Sequence, residues 1–294
     1  MSVQATSSEI CVAISGVGLI GGSIAAAIRA THSDCRIIGI GRHASRLEEA
    51  VRRGLLDEFR VAEPASESLP ESALGIACQP VNQIVPAVDA LLRAGCAVVT
   101  DAGSVKESIC RAFEHEPRFV GAHPIAGSEQ NGFEAADAKL FEGRICVVTP
   151  VNQLDDSERY QANIARVSRF WESLGLDVVR MSPSEHDRIL ALTSHLPHIL
   201  ASVAAGCVTQ EMLPLTGTGF RDTTRIAAGS AAVWTSILND NAKHCMQAIQ
   251  QAEQRLTDFR TALMNHDLAT LTALWTQGSD LRRQLEPGPH YSNK

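Results

Sequence analysis

The chain has 294 residues, of which 45% are apolar, 20% charged and 4% aromatic. That length accommodates two domains of ordinary size, and the near-average composition excludes a disulfide-stapled miniprotein, a fibrous chain and wholesale disorder. A net charge of −7 and the scarcity of aromatics are a poor basis for gripping a phosphate backbone or stacking bases, so no nucleic-acid partner is expected.

The first ten residues, MSVQATSSEI, lack the basic and apolar parts of a secretory signal. Strand candidates then follow at residues 10–15, 36–40, 74–78, 97–101, 119–122, 145–149 and 177–181. Helical patterns alternate with them, which predicts a parallel sheet with crossover helices. After Pro183 the strand signals stop and helical periodicity runs to about residue 285. The most apolar stretch there, residues 199–208, contains Ser202 and Gly206 and falls short of the roughly 20 residues of a membrane span, so no membrane association is expected. Residues 232–264 contain neither proline nor glycine and read as one helix of roughly 50 Å at 1.5 Å per residue. Apolar positions Val233, Ile237, Ala242, Met246, Ile249 and Leu256 recur along it, more than a small domain buries, so the chain is expected to form a homodimer through this region. The tail from Glu286 reads as frayed. The eight cysteines are scattered with no CxxC pair, which reads as reduced thiols in a cytoplasmic protein without a metal site.

Gly16, Gly18 and Gly21, with Leu19 and Ile20 between the last two, form GxGxxG directly after the strand ICVAIS and open the Ala-rich helix SIAAAIRA. In this context the first glycine serves the tight turn, the second lets backbone N–H groups approach a pyrophosphate, and the third lets the helix pack on the strand. The expected architecture is therefore an α/β Rossmann-type dinucleotide-binding domain over residues 1–182, followed by an all-α substrate and dimerisation domain over residues 183–294. The second strand ends without the usual acid, in Gly41, Arg42 and His43, with Ser45 and Arg46 following. A basic, hydroxyl-bearing loop suits a 2′-phosphate, so NADP is favoured over NAD; the alternative is that Arg42 and Arg46 are solvated helix-entry residues. Asp101, closing the strand 97–101, is placed with the cofactor-facing residues.

Two segments read as chemistry. In DAGSVK, Ser104 is either a helix N-cap or a hydroxyl aimed at substrate. In HPIAGSE, His123 stands at the end of a strand with a proline behind it, placed to take a proton from a substrate hydroxyl. His195 and His198 lie three apart with Pro197 between them, so they share a helix face and disturb its hydrogen bonding. Asp187 is read either as an orienter of a histidine or of Arg225, or as a solvated carboxylate.

GVGLIGGS, DAGSVK, HPIAGSEQNGFEAADAKLFEG, EHDRILALTSHLPH and FRDTTRIA, with Trp234 beyond Arg225, resemble the prephenate and arogenate dehydrogenases of tyrosine biosynthesis. The resemblance implies oxidative decarboxylation: hydride leaves the ring carbon bearing the hydroxyl, the carboxylate departs as carbon dioxide, and the ring becomes aromatic. It implies that His123 accepts the hydroxyl proton and Ser104 holds that hydroxyl or His123. It also implies that Arg225 pairs with a substrate carboxylate, and that His195, His198, Ser128, Glu129, Asp187 and Trp234 surround the substrate. Trp234 could equally cap the dimer seam or pack in the core. Family members often carry a basic residue after the asparagine matching Asn241, whereas here Ala242 stands there, with Lys243 next. No mutase or regulatory domain is expected beside the dehydrogenase. Two other readings remain open. A β-hydroxyacid or imine reductase would need a catalytic lysine in the helical region, and Lys243 lacks such a motif. A dinucleotide sensor without catalysis would not need Ser104, His123 and Arg225 together.

Overall fold

The structure, a computed structural model, describes residues 11–32, 34–62, 68–70, 72–127, 132–154 and 157–285. Ser128, Glu129 and the tail from Glu286 lie outside the described residues.

Eight strands form one sheet: β1 (Cys11–Ser15), β2 (Arg36–Gly41), β3 (Glu58–Val61), β4 (Leu74–Ala77), β5 (Val98–Asp101), β6 (Phe119–Pro124), β7 (Ile145–Thr149) and β8 (Asp177–Arg180). Their order is β3-β2-β1-β4-β5-β6-β7-β8. β1, β4 and β5 are buried along their whole length, as strands covered by helices on both faces must be, which is why they read as apolar runs. Five helices belong to this part: α1 (Leu19–Thr31), α2 (Ala44–Arg52), α3 (Val81–Arg93), α4 (Glu107–Ala112) and α5 (Glu158–Ser173). The order reverses between β1 and β4, and crevices at such a switch point, beyond the carboxyl ends of the strands, are where ligands bind in open α/β sheets.

Two features differ from the sequence-based expectation. The sheet is not wholly parallel, because β7 runs antiparallel to β6. The segment joining them carries no crossover helix among its described residues, only a 3₁₀ turn at Phe133–Ala135, so the chain returns beside β6 in the reverse sense. β3, whose sequence EFRV is half charged, is an edge strand that the apolar pattern does not reveal; such charge is how sheets blunt their edges.

The remaining helices are α6 (Pro183–Leu190), α7 (Leu196–Gly206), α8 (Thr218–Thr224), α9 (Ala231–Asp240), α10 (Ala242–Met264) and α11 (Leu268–Gln284). The Ser182 side chain caps α6, accepting from Glu185 N, and Pro183 takes the first turn, where its missing N–H costs nothing. α6 and α7 run on through one π turn, Ala191–His195. Pro197 sits just beyond it, lacking the N–H that would close a regular turn. By length and composition this 24-residue helix, Pro183–Gly206, could cross a membrane, a feature the apolar-run reading did not anticipate. It carries the buried His186, Asp187 and His195 and packs against α4 and α10.

The expected single helix over residues 232–264 is broken at Asn241 (φ −102°, ψ 25°). Asn241 is buried, and its side chain hydrogen bonds to Asp187 and His195 rather than following a helical surface. The large core belongs to the sheet and its helices, and two small clusters lie apart from it: Val81, Val105 and Ile237, which join α3 and the loop after β5 to α9, and Ala191, Cys245 and Ala248 within the helical part. Its outer faces expose Val203, Met246, Leu256, Leu263, Trp275 and Leu281, an unusual load of apolar surface for an isolated subunit.

Candidate active site

The turn after β1 has the build of a phosphate cradle. Gly16 adopts φ +94°, which only glycine takes without strain, and a Cβ on Gly21 would collide with the Gly16 carbonyl, so α1 presses against the turn. Gly18 faces open space. It caps α1 without any side-chain bond, and the first turn of α1 carries no acid, which leaves the positive helix end free for an anion. These residues fit the pyrophosphate of a dinucleotide. Beyond β2, Arg42, His43 and Arg46 are exposed. The Arg46 guanidinium pairs with Glu134 at 3.0 Å and lies 5.6 Å from the Phe133 ring centroid.

Asp101, expected among the cofactor-facing residues, is turned inward. It is fully buried at the end of β5, where Oδ2 accepts from Gly103 N and pairs with the buried Lys106 Nζ, and Oδ1 accepts from Ala122 N. Lys106 Nζ also donates to the Ala122 carbonyl at 2.9 Å. The pair ties the β5 loop to β6 and, with the two backbone amides, takes up most of the carboxylate's accepting capacity; breaking such a pair strands a buried charge. Ser104 sits half-buried in the same loop. The N-cap role open to it does not hold, because α4 starts at Glu107 with Lys106 as its cap residue. The acceptor that caps α4 comes from α6: Asp187 Oδ1 takes Lys106 N and Oδ2 takes Glu107 N, each at 2.8 Å.

The same carboxylate anchors a chain of histidines. Asp187 Oδ1 lies 2.7 Å from His186 Nδ1, and His186 Nε2 lies 2.9 Å from His123 Nδ1. Three donors converge on Asp187, so His186 carries its hydrogen on Nδ1 and presents a lone pair at Nε2. His123 must then donate from Nδ1, which leaves its Nε2 bare: the form a proton acceptor needs. Burial holds the His123 pKa well below the usual 6.5, reinforced by the neighbouring His186. Burial also lowers His186, with Asp187 opposing. Both rings are thus neutral near pH 7.

His195 is buried, with burial lowering its pKa to about 4. Its Nδ1 contacts Asn241 Nδ2 at 3.1 Å and Cys245 Sγ at 3.6 Å. His198 stacks on Trp234 at 3.6 Å between centroids and donates from Nδ1 to the Ser194 carbonyl. Its pKa is lowered, first by burial and further by the positive charge of Arg225. Arg225 itself is exposed and lies near enough to His198 for its charge to act on that ring. Trp234 also packs on the small Val81, Val105 and Ile237 cluster. The structure thus groups His123, Asp187, His195, His198, Trp234 and Arg225 between the β6 edge and α6–α9. The sequence reading missed His186, Lys106 and Asn241. An acid directly following His186 was the available signal for the first; Lys106 closes the DAGSVK segment and Asn241 matches a family asparagine, but the sequence alone assigns neither a role.

A dinucleotide cradle on a switch-point sheet, beside a buried histidine–carboxylate chain under a helical cap, defines a two-domain nucleotide-dependent oxidoreductase. Residues 24–180 match the prephenate dehydrogenase nucleotide-binding domain, and residues 182–277 match the prephenate dehydrogenase dimerization domain. The chain belongs to the prephenate dehydrogenase family. The prephenate dehydrogenase of Bacillus subtilis is 31% identical, covering 92% of this chain and 75% of its own. The crystal structure of Aquifex aeolicus prephenate dehydrogenase with hydroxyphenyl propionate and NAD+ superposes with a TM-score of 0.85 at 29% identity, over 96% of this chain and all of that one. That of Synechocystis arogenate dehydrogenase gives 0.78 at 28% identity, over 94% and 100%. The chain is accordingly an NAD(P)-dependent dehydrogenase of the prephenate/arogenate type, acting by oxidative decarboxylation in tyrosine biosynthesis.

Proposed function

We propose that this chain oxidises prephenate, with NADP as acceptor, as a cytoplasmic homodimer, and that residues 1–182 and 183–294 are its two functional domains. The observation that carries the catalytic part of this reading is the Asp187–His186–His123 chain, which leaves a bare Nε2 on a neutral, buried histidine at the carboxyl edge of β6. His123 accepts the proton of the substrate's ring hydroxyl as hydride leaves the carbon that bears it. When bound, the oxidised nicotinamide supplies the acceptor for that hydride. Loss of the ring carboxylate as carbon dioxide then sends its electron pair into the ring, and His123 returns the proton to the phenolate. Developing charge on His123 is stabilised through His186 by Asp187, whose two backbone donors hold its carboxylate in place. Ser104 holds the same hydroxyl in line. Arg225 pairs with a substrate carboxylate, a local positive charge that a protein of net −7 needs in order to hold a dianion. His195, His198 and Trp234 wall the substrate; Ser128 and Glu129, expected from the sequence to join them, lie outside the described residues.

The NADP preference is supported by the absence of an acid at the end of β2 and by Arg42 and Arg46 beside it. The Arg46–Glu134 pair is half exposed on both sides, and pairs of that kind are worth so little that a 2′-phosphate can displace the carboxylate. Dimerisation is supported by the apolar faces of α7, α10 and α11, including Trp275 at 74% exposure. The test is nicotinamide reduction by the purified protein in the four combinations of prephenate or arogenate with NAD or NADP. Prephenate with NADP is expected to show the highest kcat/KM. Faster turnover with arogenate or NAD would correct substrate or cofactor, and silence in all four with dinucleotide binding intact would refute the reading.

A further inference from the structure

We infer that Asn241, at the break between α9 and α10, is a positioning residue: it fixes His195 in the tautomer with its hydrogen on Nε2, which makes that ring a standing hydrogen-bond donor in the substrate site. The inference rests on the placement of His195 in the site proposed above.

The orientation of the Asn241 amide follows from its partner. Nδ2 lies 2.8 Å from the Asp187 backbone carbonyl, and a carbonyl only accepts, so the atom there is the amide nitrogen and not its oxygen. One of its two hydrogens is spent on that bond. The other meets His195 Nδ1 at 3.1 Å, so Nδ1 is an acceptor and the ring hydrogen of neutral His195 sits on Nε2. Cys245 approaches the same nitrogen at 3.6 Å. Burial raises its thiol pKa, so it stands there as S–H, which donates and does not draw the hydrogen to Nδ1. Besides Cys245, the titratable groups around the ring are Asp187, His186, His198 and His123. Asp187 spends its carboxylate on His186 and on the α4 amides, so it offers Nδ1 no competing acceptor.

The helix break is what makes this possible. Continuous helix through Asn241 would carry its side chain along the α9–α10 surface, whereas the observed φ −102°, ψ 25° goes with a buried amide that reaches back to α6. No proline or glycine accounts for the break, and the polar bonds at Asn241 do. His198, one helical turn further, is set the opposite way: it spends Nδ1–H on the Ser194 carbonyl and keeps a bare Nε2. The two histidines therefore differ in polarity, a donor beside an acceptor, and Asn241 decides the first of them.

The test begins with the unmodified enzyme labelled with ¹⁵N-histidine, the His195 signals being assigned by their loss in His195→Gln. Nε2 is expected in the N–H range and Nδ1 in the unprotonated range, unchanged between pH 8 and 5.5. Asn241→Asp replaces the donor by an acceptor and is expected to move the hydrogen to Nδ1 and lower kcat/KM about 10- to 100-fold, the size of one lost buried donor. In the His195→Gln background, whose amide brings its own N–H, the same Asn241→Asp change is expected to cost less than about threefold, because nothing is left for it to set. A wild-type ring with its hydrogen on Nδ1 overturns the inference, even if no variant accumulates. So does an equal cost of Asn241→Asp in both backgrounds, which is the signature of a purely structural residue. An enzyme inactive in all substrate and cofactor combinations would overturn the proposed function, while the spectrum would still decide the tautomer.

Discussion

Replacing His186 by phenylalanine isolates the histidine chain from everything else in the site. The ring is completely buried, phenylalanine approximates its shape, and Asp187 keeps its two backbone donors at 2.8 Å, so the α4 cap survives. What disappears is the acceptor 2.9 Å from His123 Nδ1. In the ground state that bond is neutral and worth about 0.5–1.5 kcal/mol; once His123 is protonated it is charge-assisted, at about 1.5–3 kcal/mol. The differential, about 1–1.5 kcal/mol, corresponds to roughly a five- to tenfold loss in kcat. A second loss accompanies it, because the unpartnered ring no longer holds its hydrogen on Nδ1, and the fraction with a bare Nε2 falls several-fold. The expected total is about 10- to 100-fold in kcat with KM little changed, since no ground-state contact to substrate is removed. Steady-state nicotinamide reduction at saturating substrate measures it. A folded His186→Phe enzyme with kcat within twofold of wild type would refute the relay and leave His123 acting alone.

His123→Asn should preserve dinucleotide affinity by equilibrium titration and lower kcat by about 10²- to 10⁴-fold, the range for a removed general base; undiminished turnover would sink its assignment. Arg225→Ala should act chiefly on KM, because a carboxylate pairing is present before and during reaction; a kcat loss with unchanged KM would place the arginine elsewhere. Stability should depend on acid in a defined direction. His123, His186 and His195 are held below their ordinary 6.5, His195 at about 4, so between those values the unfolded chain binds protons the folded chain refuses. The contribution of these histidines to unfolding free energy is then flat above about pH 7 and falls below 6.5 by about 1.4 kcal/mol per pH unit for each of them. Urea midpoints at pH 8, 7, 6 and 5 test this, and a stability that holds or rises from pH 7 to pH 5 would contradict it.

What the sequence determined by itself is local. The turn Gly16–Gly21 between a strand and a small-residue helix needs only neighbouring residues to be recognised. The apolar runs of β1, β4 and β5 announce buried parallel strands, and the loss of strand pattern after Pro183 marks the helical part at a serine-capped, proline-started helix. His123 was legible for the same reason, standing at a strand end in a motif that carries its own context. Tertiary structure decided whatever depends on partners far along the chain. Asp101 reads as a loop-edge carboxylate, yet Lys106 and two backbone amides consume it. Asp187 reads either as an orienter of a histidine or of Arg225 or as a solvated carboxylate, and no pattern shows that it also caps α4 across some 80 positions of sequence. Asn241 sits in a stretch without proline or glycine that any propensity would make continuous, yet one carbonyl of α6 and one ring of the π turn bend it out of the helix. Propensity and periodicity act between near neighbours, whereas burying a polar group obliges it to find a partner wherever the fold brings one.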